Sequence, residues 1–152
     1  MSDEKQKKQK GMFSTFWTKV EDLDSSKEAA SSGAVAAGYL AISYALQVLL
    51  LYFSGETLYS ELTDTVPADK FEYYFQLFGH SLITILFIFV AYRIYKQQKF
   101  GFIPFLSLWV LYEVGYKFYL VSGRGIVLSL IFAVIAINSF RGWLGIRRYQ
   151  KN

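Results

Sequence analysis

A glutamate and a lysine stand one helical turn apart inside an apolar run of the sequence. Glu113 and Lys117 belong to the segment LYEVGYKFYL, within an apolar run over 102–121. With the acid first, this i,i+4 order favours an ion pair along a helix. Each charge alone would cost about 2.5–3.5 kcal/mol at the centre of a membrane helix. We therefore predict an ion pair between the two side chains, and further polar partners for Glu113.

Polar side chains in the other apolar runs are candidates for those partners. Residues that recur every four positions share one helix face, as in the series Gln76, His80 and Thr84. The predicted polar intramembrane cluster contains Glu113, Lys117, His80, Gln47, Gln76, Thr84 and Tyr116. Asn138 is expected to lie deeper, toward the cytoplasm, and to make a separate interhelical hydrogen bond.

Two interpretations of this cluster remain open. A charged residue inside a membrane is a functional candidate, so the cluster could be a proton-linked or ligand-binding site. It could instead be a structural network that fixes how the helices dock. The structural interpretation is favoured, because a permanent positive charge on Lys117 holds Glu113 ionised.

Residue types suited to catalysis or metal binding are scarce. The chain has no cysteine and a single histidine, His80, which falls short of a transition-metal ligand set. His80 next to Ser81 lacks the orienting acid of a catalytic triad. We therefore predict no catalytic residue, no metal site and no cofactor, and a protein that is not an enzyme.

Four apolar runs must position these side chains. The sequence is 53% hydrophobic, above the ~45–50% that is usual for soluble domains. About 20 apolar residues cross the ~30 Å hydrocarbon layer of a membrane. The predicted fold is all-α, a polytopic membrane protein with four antiparallel transmembrane helices over about 33–53, 76–97, 102–121 and 123–141.

Basic residues set the predicted orientation of these helices. Most of the 16 lysine and arginine residues fall in 1–32, 93–99 and 141–152, whereas the connection over 54–72 is acidic. Short segments rich in Lys and Arg stay on the cytoplasmic side of a membrane. We therefore predict that both termini are cytoplasmic. Nucleic acid is not a predicted partner, because the basic residues flank the apolar runs and do not form one stripe.

These boundaries divide the chain into three predicted regions. They are a cytoplasmic leader over 1–27, a four-helix transmembrane bundle over 28–146 with an outer loop over 54–72, and a basic cytoplasmic tail over 147–152. Apolar residues at helical spacing predict an amphipathic interfacial helix over 12–23 of the leader, which rests on lipid or packs on protein.

Local signals predict where two of the helices begin. Ser25 and Glu28 have the spacing of a capping box, so the first spanning helix is expected to start there. Pro67 is expected in the first turn of the second spanning helix, where a missing amide costs little.

Small residues and interfacial side chains predict how the bundle meets its surroundings. Gly33, Ala37 and Ala41 recur every four residues and would let another helix approach closely. Aromatic and basic side chains near the cytoplasmic surface are expected to meet anionic lipid headgroups. They are Trp17, Arg141, Trp143, Arg147 and Arg148.

Three segments of the chain resemble a known set of proteins. They are WTKVEDLDSSKEAASSG, AYRIYKQQKFGFIPFLSLWVLYEV and INSFRGWLGIRRYQ, the last with Asn138, Arg141, Gly142 and Tyr149 at its motif positions. They resemble small bacterial inner-membrane proteins with four predicted spans and no known activity. This chain departs from them in its long lysine-rich leader and in Trp143-Leu144-Gly145. The resemblance implies a bacterial inner membrane and four spans, and no cofactor or catalytic residue.

Three hypotheses for function follow. The first is a non-enzymatic inner-membrane protein that acts by association, as an accessory subunit of a membrane complex or as a homo-oligomer. The second is a small transporter or channel in which Glu113 couples to a proton or ion in an outward-facing polar pocket. The third is an immunity-type protein that blocks a toxin at the outer face, which would rest on the acidic segment 54–75.

Overall fold

The chain is an all-helical bundle in the residues that the computed structural model describes. These are 17–63, 70–96, 98–119 and 126–150, with the backbone alone described over 54–63. The helices are α1 (Leu23–Ser31), α2 (Gly33–Thr63), α3 (Lys70–Tyr95), α4 (Ile103–Tyr119) and α5 (Ile126–Tyr149), and a 3₁₀ turn over Phe100–Phe102 precedes α4. The predicted all-α fold is confirmed.

Within the described residues, three helical stretches are long and apolar enough to cross a membrane. They are Leu23–Phe53, Lys70–Tyr95 and Ile126–Tyr149. The described part of α4 is shorter, with 17 residues. Three of the four predicted spans thus coincide with candidate spanning helices.

The start of α1 differs from the prediction by one turn. Asp22 is the N-cap: its side chain accepts a hydrogen bond from the Ser25 amide at 2.7 Å, and Ser25 Oγ accepts one from the Asp22 amide at 3.0 Å. The predicted cap at Ser25 with Glu28 is wrong, because Asp caps as well as Ser and leaves Ser25 to complete the box.

The segment before α1 also corrects the sequence prediction. Residues 17–22 are not helical, so the predicted interfacial helix over 12–23 is wrong for this part, and residues 12–16 lie outside the described residues. The segment contacts α5 as well as the start of α1. The Thr18 amide, for example, donates to Asn138 Oδ1 at 3.2 Å.

Only Ser32 separates α1 from α2. Its amide donates to the Ala29 carbonyl at 3.2 Å, and its hydroxyl donates to the same carbonyl at 2.7 Å. Ser32 itself has right-handed helical dihedral angles, and its polar groups are bonded locally. Because α1 packs against the C-terminal half of α5, the bundle already includes Leu23, and the predicted boundary between 27 and 28 falls inside a helix.

Helices α2, α3 and α5 are longer than the predicted spans. The backbone is helical to Thr63 and again from Lys70, so the predicted outer loop over 54–72 is wrong except at 64–69. Those residues, with Pro67, lie outside the described residues. An existing helix lengthens at low cost, because each added residue contributes one hydrogen bond. The same reason extends α5 to Tyr149 through the predicted separate tail over 147–152.

Two helix hairpins make up the bundle. Helix α3 packs along α2, α5 packs along α4, and α2 joins the hairpins by contacting both α5 and α4. The backbones of α3 and α4 hardly touch. The core contains fully buried side chains from all four long helices, among them Leu40, Phe87, Val90, Ile94, Leu106 and Ala136.

Candidate functional site

The carboxylate of Glu113 lies at the junction of α2 and α4. It accepts a hydrogen bond from the Tyr44 hydroxyl of α2. The Tyr44 hydroxyl in turn accepts a hydrogen bond from Trp109 Nε1 at 3.3 Å, one turn earlier on α4. Tyr44 is buried. The three groups form a chain of donors that ends on the carboxylate, an arrangement in which each hydrogen bond polarises the next.

The ammonium group of Lys117 is held by a different helix pair. Its Nζ donates to Ser129 Oγ of α5 at 2.6 Å and to the Tyr39 hydroxyl of α2 at 3.4 Å. The two hydroxyls are themselves 3.1 Å apart. Lys117 therefore ties α4 to both α5 and α2 through neutral hydroxyl groups.

The predicted ion pair between Glu113 and Lys117 is wrong for this structure. Glu113 accepts a hydrogen bond from the Tyr44 hydroxyl, and Lys117 donates one to the Ser129 hydroxyl. The two charged side chains, both within the described residues, form no ion pair with each other. Hydroxyl groups of α2 and α5 lie within hydrogen-bond distance of these side chains, so each charge has a partner on another helix. Glu113 is consequently held by a phenol and not by a cation.

Aromatic rings fill the space between α3 and α4. The Tyr44 ring lies 5.5 Å from the His80 ring of α3. The Trp109 ring of α4 lies 5.5 Å from Phe87 of α3 and 5.6 Å from Phe105. Side chains and not backbones therefore set the separation of α3 and α4 beside the Glu113 site.

The other predicted members of the polar cluster make their contacts elsewhere. Gln76 donates to Glu72 at 3.2 Å and Thr84 donates to the His80 carbonyl at 2.8 Å, both within α3. Gln47 is half-buried on α2 and makes no hydrogen bond with a described residue. Tyr116 stacks on Tyr112 with 6.1 Å between ring centroids. Tyr44 thus contacts both Glu113 and His80, and the other five predicted members, Lys117 included, lie outside that contact.

Sequence reasoning missed the hydroxyls that hold the two charges. Tyr44 follows Ala41 by three residues, so it continues the stripe of small residues at Gly33, Ala37 and Ala41. That spacing was a signal that Tyr44 faces a neighbouring helix. Nothing in the sequence placed Tyr39 and Ser129 opposite Lys117, because their meeting depends on the rotation of three helices.

The predicted small-residue face is used within the chain. Ala37 and Ala41 are buried in the core. A Cβ atom added to Gly33 would lie 3.3 Å from Ser139 Cβ, so the start of α2 packs closely on α5. Asn138 of α5 is fully buried and donates to Ser32 Oγ at 3.5 Å, an interhelical hydrogen bond of the kind expected for it.

The predicted interfacial side chains gather around the C-terminal half of α5. The Arg141 guanidinium lies 4.2 Å from the centre of the Trp17 ring, and the Arg147 guanidinium lies 4.6 Å from that of Trp143. Arg148 is exposed. These stacking contacts leave the edges of the guanidinium groups available for anions.

These features define a class of protein. It is an all-helical bundle with three helices long and apolar enough to span a membrane. No group of three His, Asp or Glu side chains that could hold a metal ion occurs in the described part of the chain. No protein-family model, curated protein or solved structure matches the chain. Function must therefore be inferred from its own residues.

Proposed function

We propose that this chain is a non-enzymatic, four-span protein of a bacterial inner membrane that acts by association. It would serve as an accessory subunit of a membrane complex or as a homo-oligomer. The resemblance to small inner-membrane proteins supports the location, and the distribution of basic residues supports cytoplasmic termini. Anionic headgroups on the cytoplasmic side are the lipid partners in this proposal.

The length of α4 supports a fourth span. Its 17 described residues rise about 25 Å at 1.5 Å per residue, and the 3₁₀ turn at Phe100–Phe102 extends the apolar segment at its start. Helix α4 packs along α5. A fourth crossing antiparallel to α5 therefore accounts for the hairpin better than a helix lying on the surface.

The observation that carries the proposal is the uncovered polar surface of α4 beside α3. Tyr112, next to Glu113, is 64% exposed, and Tyr116 one turn further is also exposed. If α4 spans the membrane, lipid tails offer these phenol hydroxyls no hydrogen-bond partner. Another protein can provide one. Because Tyr112 and Tyr116 are exposed, a neighbouring helix can contact this surface.

Site-specific photo-crosslinking tests the proposed contact surface. A photoreactive amino acid in place of Tyr112 is expected to crosslink a protein partner in intact membranes. The matched control is Val127 of α5, which is 68% exposed on another helix and should give no such product. Crosslinks of equal yield at both positions, or none at Tyr112, would contradict the proposal.

A specific observation also favours the second candidate, a small proton-coupled transporter or channel. Glu113 is bonded to Tyr44 and not paired with Lys117, so no fixed cation in direct contact holds the carboxylate ionised. In this alternative Glu113 takes up and releases the transported proton.

The variant Glu113→Gln separates the two candidates. Its amide oxygen can still accept the Tyr44 hydrogen bond, so an association role should survive. Proton flux in proteoliposomes should be abolished if Glu113 carries the proton. Glu72→Gln on α3 is the control, because it makes the same substitution outside the Glu113 contact. Unchanged flux in Glu113→Gln would rule out the transport candidate.

A further inference from the structure

The extended segment before α1 is fastened to α5 at several points. Its Thr18 amide donates to Asn138 Oδ1 at 3.2 Å. The Trp17 ring lies over the Arg141 guanidinium, and the Glu21 carbonyl accepts a hydrogen bond from the Tyr149 hydroxyl at 2.5 Å. We call residues 17–22 the strap. It runs along the last turns of α5 and is held by hydrogen bonds near both of its ends.

A cavity of about 270 Å³ lies between the strap and α5. It is lined by Val20, Arg141, Leu144, Gly145, Arg148 and Tyr149. A Cβ atom on Gly145 would lie 2.7 Å from Val20 Cγ1, so the glycine allows the strap to approach the helix. The volume is just below the ~300–1,000 Å³ of drug-sized ligand sites, which suits a small polar group.

Two arginines give the cavity its chemistry. Arg141 and Arg148 are seven residues apart on α5, about two turns, and therefore share one face. No acidic side chain lines the cavity. The Arg141 Nη1 nitrogen is buried and has no hydrogen-bond partner in the described residues. Donor capacity is thus present here that the protein itself does not use.

The acidic side chains of the strap are engaged elsewhere. Glu21 forms an ion pair with Lys19. The Asp22 carboxylate accepts hydrogen bonds from the amide and hydroxyl of Ser25 at the start of α1. Neither carboxylate is therefore occupied in neutralising the arginines, and the cavity keeps a net positive lining.

We propose that this cavity is a binding site for a phosphate group. Paired guanidinium groups match phosphate oxygens in geometry and charge. Arg141 and Arg148 hold the phosphate, the Tyr149 hydroxyl lies at the rim, and Val20 with Leu144 supplies an apolar edge. The phosphate comes from a phospholipid headgroup or from free inorganic phosphate. Of the side chains expected to meet anionic headgroups, this site assigns the phosphate contact to two arginines. Phosphate binding here does not depend on whether the chain associates with a protein partner.

The test compares neighbouring arginines in the full-length protein. The variants are Arg148→Gln, which removes a cavity arginine, and Arg147→Gln, which removes one that stacks on Trp143 outside the cavity. Both lose one exposed positive charge from the same helical turn. Lipid retention is measured by native mass spectrometry from nanodiscs of phosphatidylglycerol, with nanodiscs of zwitterionic phosphatidylcholine, whose phosphate is balanced by a choline cation, for comparison.

The expected result is selective loss. Arg148→Gln should lower retained phosphatidylglycerol by about tenfold, the effect of one charged hydrogen-bonded contact, and Arg147→Gln by less than twofold. Equal losses of phosphatidylglycerol in the two variants would overturn the site. Displacement of phosphatidylglycerol by millimolar inorganic phosphate identifies free phosphate as a ligand. Retention in its presence identifies the lipid headgroup.

Discussion

The two sides of this bundle are packed in different ways. Where α1 meets α5, the backbones are so close that a Cβ atom on Gly142 would lie 2.6 Å from the Ser26 carbonyl oxygen and 2.8 Å from the Ala29 carbonyl carbon. Where α3 faces α4, the backbones stay apart and aromatic rings such as Phe87 and Trp109 span the gap. Backbone contact tolerates little change, whereas rings across a gap can move.

This difference suggests that the two sides of the bundle have different roles. The α1–α5 side also contains buried hydrogen bonds between elements, such as that from Ser139 Oγ to the Ala30 carbonyl at 2.9 Å. The α3–α4 side contains the Glu113 network and the exposed tyrosines. Sites that bind or switch come from the less stable parts of a fold. We therefore expect the close packing of α1 on α5 to maintain the fold, and the α3–α4 side to carry the proposed contact with a protein partner.

Replacing Gly142 with alanine is expected to have the largest effect. The new methyl group would meet the backbone of α1, which moves aside only if α1 and α5 separate. The free energy of unfolding should fall by about 1–3 kcal/mol, the usual cost of overpacking. Titration with sodium dodecyl sulfate in mixed micelles, followed by circular dichroism, measures it.

Gly115→Ala on α4 is the matched control for this variant. Nothing lies within 4 Å of a Cβ atom at Gly115. Its stability should stay unchanged or rise by up to about 1 kcal/mol, because alanine favours a helix. Equal losses in the two variants would remove the distinction between a close and an open side.

Tyr44→Phe is expected to have the next largest effect. The substitution removes the hydroxyl that donates to Glu113 and accepts from Trp109, and so leaves two polar groups without a partner. We expect a loss of about 1.5 kcal/mol, since one of the broken hydrogen bonds is to a charged group. The same detergent titration gives the value.

Tyr112→Phe provides the comparison for Tyr44→Phe. Tyr112 is exposed and makes no hydrogen bond with a described residue, so its stability should change by less than about 0.5 kcal/mol. If both phenylalanine variants were equally stable, the Glu113 network would contribute nothing to the fold.

Ser139→Ala should cost about 1 kcal/mol, the usual net value of one hydrogen bond. Its hydroxyl donates a hydrogen bond to the Ala30 carbonyl in the last turn of α1, and so joins α5 to α1. Ser81→Ala on α3 is the control, because Ser81 donates to the Leu77 carbonyl within its own helix. Thermal unfolding of the pair in detergent should show a lower midpoint for Ser139→Ala alone.

The smallest expected effect concerns acid and the start of α1. Hydrogen bonds from the Ser25 amide and then from its hydroxyl hold the pKa of Asp22 below its ordinary value. A carboxyl group with a lowered folded-state pKa stabilises the fold above its unfolded pKa of about 3.9. That contribution is lost as the pH falls through the lower, folded-state pKa. Asp22→Asn should flatten the dependence of the unfolding midpoint on acid pH while it retains most of the cap.

Sequence alone predicted the long apolar helices, but not all of their ends and not their contacts. Long apolar runs predicted α2, α3 and α5, because crossing hydrocarbon requires length and apolarity together. The continuation of α2 to Thr63 was missed because apolarity reports where lipid ends and not where a helix ends. The strap was missed because the hydrogen bonds that hold it against α5 are to residues more than a hundred positions away.

The sequence likewise identified some residues of the candidate site and not others. Glu113 and Lys117 stood out because charge is costly in lipid. Their partners Tyr44 and Ser129 did not stand out, since Tyr and Ser are ordinary residues in membrane helices. The rotation of each helix about its axis decides which hydroxyl group meets which charge. The favourable i,i+4 spacing of Glu113 and Lys117 predicted a different partner for each. The spacing of Ser139, Gly142 and Gly145 was a sign of close packing on α5.

The most direct test of the central claim is native mass spectrometry of the protein released gently from its own membrane. The proposal of a protein that acts by association predicts a stoichiometric complex, either with a different membrane subunit or with further copies of this chain. A photoreactive group at Tyr112 should crosslink within that complex. A monomer that retains only lipid, under conditions that preserve known membrane complexes from the same extract, would contradict it.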